Sequence, residues 1–182
     1  MEPRTERWNL LWSVQRSARY HARRQAFFDT WRRVTAALGV IFGSAAAVDL
    51  LHASTSQGHS VGIAAAFVVA VASALDLVVG TSDMAWQHRE LRKRFLELEC
   101  QIRRCPDKPR PEELARWREF RIGIEADEPP TYVAVDLLCE NELARANGAG
   151  DRAKLNPWER ATAHWLKWHD LASIAAERMG NN

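Results

Sequence analysis

Between Val34 and His88 the chain has no lysine or arginine, although it holds 25 of these residues in all. Asp49, Asp76 and Asp83 are the only formally charged side chains in that gap. The averages, 26% charged residues and a mean hydropathy of −0.34, conceal this segregation. Within the gap lie two apolar runs, "VTAALGVIFGSAAAVDLL" (Val34–Leu51) and "VGIAAAFVVAVASALDLVVG" (Val61–Gly80), separated by the polar "HASTSQGHS". Each is close to the roughly 20 residues that a helix needs to cross about 30 Å of hydrocarbon. The gap therefore predicts a helical hairpin of two membrane spans. The alternative is an Ala-rich hairpin inside a soluble helical protein.

The flanks favour the membrane. Arg32 and Arg33 stand before the first run, and Arg89, Arg92, Lys93 and Arg94 follow the second. Positive charge at both outer ends and none in the turn is the arrangement of a hairpin with both termini cytoplasmic. Trp31 and Trp86 fall at the two inner boundaries, where indoles favour the headgroup layer. The N-terminus is Arg-rich and has no apolar signal-peptide core, so no secretory leader is expected.

Small residues recur along both runs. Gly39 and Gly43 form a GxxxG step, and Gly62, Ala66, Ala70 and Ala74 form an i, i+4 ridge. Lipid supplies no hydrophobic drive for helices to associate, so such ridges favour close packing within the hairpin or between copies. Asp49 is expected near the outer interface and Asp76 one turn before the inner end. A charge at the bilayer centre costs about 2.5–3.5 kcal/mol on insertion scales, and both positions avoid it. Asp76 either faces the interior of an assembly or snorkels to the inner interface.

The remaining sequence reads as helix. Residues 1–33 predict a basic cytosolic helix, 34–82 the hairpin (34–51 and 61–80), and 84–182 a cytosolic helical region. The expected class is all-α: a two-helix transmembrane hairpin with a cytosolic helical bundle built from the N-terminal and C-terminal helices. Met84, His88, Leu91, Phe95, Leu98, Ile102 and Cys105 follow a 4, 3 repeat that predicts a buried seam. Short helices are expected from Glu112 to about Glu125 and from Thr131 to Asn147. "NPWE" predicts a capped start, Asn156 then Pro157 with Glu159 at the third position, for a final helix over 157–179. On it Trp158, Trp165 and Trp168 would share one stripe, for core packing or for a partner.

Signals for chemistry are weak. No phosphate-cradling Gly loop, HExxH or GxSxG is present. His164 and His169, five apart, suit different faces of a helix. Glu125, Asp127 and Glu128 cluster before Pro129–Pro130, where they mark a helix break and offer partners to the Arg-rich N-terminal helix. Cys100, Cys105 and Cys139 predict reduced thiols. The expectation is a non-enzyme with no catalytic residues, no cofactor and no metal. The N-terminal arginines, Arg16, Arg19, Arg23 and Arg24 among them, are expected to set topology and attract anionic lipid rather than nucleic acid.

Three stretches together resemble a known family: "RYHARRQAFFDTWRR" (Arg19–Arg33), the hairpin, and "IEADEPPTYVAVDLLCENELARANG" (Ile124–Gly148). Over about residues 16–148 the layout is similar to the SLATT family, two-transmembrane effector domains of bacterial conflict systems associated with SMODS nucleotidyltransferases and SLOG sensors. The resemblance implies a homo-oligomeric, pore-forming effector that permeabilises the membrane in antiviral defence. With no fused sensor domain in view, it implies a separate sensor protein or a nucleotide signal as the trigger. A non-enzymatic membrane adaptor, recruiting a partner through its cytosolic helices, is the competing function.

Overall fold

A computed structural model describes residues 3–51, 59–105 and 108–180. Among these the chain is all-helical, with no strand. The helices are α1 (Pro3–Leu51), α2 (His59–Val79), α3 (Thr81–Arg104), α4 (Pro111–Glu125), α5 (Val133–Ala146), α6 (Pro157–Ala161) and α7 (Leu171–Gly180). Two compact units result, one of Met1–Arg24 with Gln87–Asn182, the other of Gln25–Trp86. The expected polar turn between the apolar runs falls largely outside the described residues, as does the side chain of Asp49.

In the first unit, α3 buries its 4, 3 seam. Leu91 is 2% exposed, and Phe95, Leu98 and Ile102 are fully buried. They pack with Leu10, Leu11, Val14 and Ala18 of α1 and with Leu114, Trp117 and Ile124 of α4. Burying each large aliphatic or aromatic side chain contributes about 1.5–3 kcal/mol, so this cluster dominates the unit's stability. Arg7 closes the far end of α3 by donating to the carbonyls of Ile102 (3.1 Å) and Cys105 (3.3 Å), where the helix dipole favours a cation.

A second cluster joins Tyr20 to Ala134, Val135, Leu137 and Cys139 of α5, and to Ala153, Leu155, Ala163, Leu171 and Ala175. The Tyr20 hydroxyl accepts from the Tyr132 amide (3.0 Å) at the start of α5. At its other end, Gly148 takes φ +77°, and the amides of Gly148 and Ala149 donate to Arg145 and Ala144. That pairing satisfies the last carbonyls and needs a left-handed residue, which is why glycine stops the helix. Buried Asn141 holds the following loop: its amide donates to Ala153 O (2.7 Å), and its oxygen accepts from Arg152 N (2.8 Å) and Ala153 N (3.0 Å).

The final helix differs from expectation. Its start is as the sequence predicts, with Asn156 and Glu159 exchanging two 2.8 Å hydrogen bonds around Pro157. It ends after Ala161, and turns carry the chain to α7. Two interactions account for the break. Ala163 is drawn fully into the second cluster, and the His164 carbonyl accepts from Arg24 Nη1 (2.9 Å). In a continuous helix that carbonyl would serve the Trp168 amide. The 157–179 helix and its single tryptophan stripe are therefore corrected: Trp168 packs on the second cluster, while Trp158 and Trp165 are 65% and 53% exposed. Glu159, 4% exposed, accepts from Arg178 at 2.8 and 3.0 Å and ties α7 to α6.

In the second unit, α2 ends where Gly80 adopts φ +60°, and α3 begins at Thr81. Phe28, Ala65, Thr81 and Ala85 are buried here.

Candidate functional site

Two arrangements stand out, one in each unit. The first is the surface of α2. Leu77 and Val78 are each 84% exposed, and Ile63 and Phe67 are almost as open. Among the described residues one helical run, Gly62–Arg104, is long and apolar enough to cross a membrane, and only 6% of its apolar window is buried. Isolated soluble chains seldom present large contiguous apolar patches to water.

The more covered positions of α2 are Gly62, Ala65, Val69, Ala72 and Asp76, a 3, 4 stripe. The predicted ridge lies one step round the helix: Gly62 is buried, but Ala66, Ala70 and Ala74 are exposed. Gly39 and Gly43 likewise have open space where a Cβ would stand. Ala66, Ala70, Ala74, Gly39 and Gly43 are thus open to packing with another molecule. Asp76 is half-buried, and the Thr81 hydroxyl donates to its carboxylate across the Gly80 turn. Its charge is thus held at a helix junction.

The basic flank divides. Arg32, Arg33, Arg89, Arg92 and Lys93 are exposed. Arg94 reaches Asp127 (2.5 Å) and the Gly123 carbonyl (3.2 Å), joining α3 to the end of α4. The N-terminal arginines are also drawn into the fold. Arg16 pairs with Asp136 and Glu140 of α5, and Arg23 forks onto Glu142 at 2.8 and 3.3 Å. The acidic face of α5 thus engages Arg16 and Arg23.

The second arrangement is a buried histidine pair. The Nδ1 atoms of His21 (α1) and His88 (α3) lie 2.8 Å apart, and both residues are 1% exposed. Glu128 Oε1 accepts from His21 Nε2 at 3.0 Å. With Glu128 accepting from Nε2, a neutral His21 has its Nδ1 lone pair free to accept a hydrogen bond from His88 Nδ1–H. Phe95 stacks on His21 at 5.5 Å, and Tyr20 meets both rings edge-on.

Buried Arg24 extends the polar group. Its guanidinium lies 4.1 Å from the Tyr132 ring centroid and reaches His164, and burial lowers its pKa below the usual arginine value. Burial, then His21 and Arg24, push His88 down to about 3. Burial and the nearby Arg24 and Arg23 push His164 down to about 4. Both imidazoles are neutral at physiological pH. Sequence reasoning treated His88 as a packing residue and did not foresee its pairing with His21. The available signal was that both histidines occupy apolar helical faces, where each needs a polar partner.

The three cysteines carry free thiols, and burial pushes Cys139 up to about 12. No group of three or more metal-ligating side chains occurs among the described residues. Comparison with protein-family models, with curated proteins and with solved structures returns no match.

Proposed function

We propose that this chain is a membrane-embedded effector of a bacterial conflict system. In this reading α2 and the apolar end of α1 form a transmembrane hairpin in the inner membrane, with both termini cytoplasmic. The first unit is its cytosolic helical bundle. The observation that carries the reading is the exposed apolar surface of α2 inside a segment free of lysine and arginine. The outward Ala66, Ala70 and Ala74 and the open Gly39 and Gly43 support assembly into a homo-oligomer, because close helix approach in lipid favours such positions. The resemblance to SLATT domains supplies the output: on a signal from a separate sensor or a nucleotide, the assembled spans reorganise and permeabilise the membrane. No catalytic residue, cofactor or metal takes part. Inducible expression in bacteria with a potential-sensitive dye tests this. Depolarisation should accompany expression during phage challenge. Sustained high expression that never depolarises cells, with or without phage, refutes the effector role.

A second reading, an adaptor that recruits a protein partner, draws on the exposed Trp158 and Trp165 beside Leu166, which is 45% exposed. Truncation of this region would remove Glu159 and Leu171 from the core, so point variants are the cleaner test. Trp158→Ala with Trp165→Ala should leave an effector active and an adaptor unable to act.

A further inference from the structure

We infer that the exposed face of α3, together with the neighbouring part of α1, binds a phosphate ester. An open surface recess of about 620 Å³ lies along α3, lined on that helix alone by Arg89, Arg92, Lys93, Leu96, Cys100 and Arg104 among others. A second recess of about 350 Å³ shares Arg92 and Leu96 with it and is completed by Arg19 and Ala22 of α1. The shared residues make the two a single groove within the first unit.

The charge of the groove is unbalanced. Its carboxylates are Glu97 and Glu99. Glu99 is already engaged by Arg103 (2.8 Å) and by the Gln15 side-chain amide (2.7 Å). Glu97 is 4.0 Å from Lys93. Among the described residues no carboxylate pairs with Arg89, Arg92 or Arg104. Several other arginines of the chain are paired. Arg16, Arg23, Arg94, Arg118, Arg145 and Arg178 each meet an acidic side chain. Like charges three and four residues apart on a helix repel by a few tenths of a kcal/mol per pair, so Arg89 and Arg92 cost stability unless an anion joins them.

Guanidinium forks match the oxygens of a phosphate group and can engage it in a bidentate manner. Leu96, 39% exposed, and exposed Cys100 add a less polar floor between the cations. Such a floor suits a ligand with an organic part beside its phosphate, and distinguishes the groove from a uniformly solvated basic face. Two sources have this chemistry: the headgroup of an anionic phospholipid and a soluble nucleotide. Binding at the groove does not require that the chain span a bilayer.

The test is calorimetric titration of the full chain, in phosphatidylcholine nanodiscs, with inorganic triphosphate. Saturable binding is expected, weaker at about 0.15 M salt than at low salt because the groove is exposed. Arg92→Gln with Arg104→Gln should weaken it about tenfold or more, whereas Arg92→Lys should retain most of it. Arg145→Gln, which lies outside the groove, should leave it unchanged. Discs made with phosphatidylglycerol separate the sources: competition with triphosphate identifies a lipid headgroup, and its absence identifies a soluble ligand. Lack of triphosphate binding in phosphatidylcholine discs overturns the inference. So does equal weakening by Arg145→Gln, which would reduce the effect to net charge.

Discussion

Acidification should destabilise the first unit, and His88 sets the pH at which this happens. In the unfolded chain His88 titrates near its ordinary 6.5, while in the fold it stays neutral until about pH 3. Between those values the unfolded state binds one more proton than the native state, so stability is lost as pH falls below about 6.5. From about pH 7.5 to 5.5, the loss from His88 alone is about 1.4 kcal/mol, a tenfold change in the unfolding equilibrium. Half-buried His164, lowered to about 4, acts in the same direction. A charged His88 would lie 2.8 Å from His21 and beside the Arg24 guanidinium, while Glu128 bonds the far nitrogen of His21. The perturbation is His88→Gln, which keeps a hydrogen-bonding side chain and removes the titration. Denaturant unfolding of the full chain in micelles, followed by tryptophan fluorescence, would be measured at both pH values. The original chain should lose about 1.4 kcal/mol more than the variant on acidification. An equal loss in both would refute the assignment of the effect to a buried neutral histidine.

Other predictions rest on separate features. Asn141→Leu should cost about 3 kcal/mol or more, because the Arg152 and Ala153 amides lose their partner in a buried place; limited proteolysis should then cut near residues 149–155. Gly80→Ala should destabilise by about 1–2 kcal/mol, since an L residue is strained at φ +60°, and a thermal melt would register it. Gly39→Leu with Gly43→Leu should leave the fold of one chain intact, because open space surrounds both positions, yet reduce self-association in cross-linking. Unchanged cross-linking would remove the GxxxG step from the oligomer contact.

The parts of the fold written in local pattern were legible. The α3 seam, the glycine stop at Gly148 and the Asn156–Glu159 cap depend on residues within one helix or one turn. The end of α6 was not legible, because the 3, 4 spacing of Trp158, Trp165 and Trp168 continues past it. Arg24, 140 residues away in sequence, takes the His164 carbonyl and so opposes that local pattern. The histidine pair was hidden for the same reason, its members lying 67 residues apart. The pairing of Arg16 and Arg23 with α5 was likewise hidden, because those acidic partners become neighbours only after folding. The apolar, base-free segment was visible from the start, and the exposed surface of α2 agrees with it.

Alkaline carbonate extraction of membranes from cells expressing the full chain tests the central claim most directly. If α2 and the apolar end of α1 lie within the bilayer, the chain stays in the pellet with integral proteins. Release into the supernatant would contradict the account. The exposed Leu77, Val78, Ile63 and Phe67 would then have to be covered by protein instead of lipid.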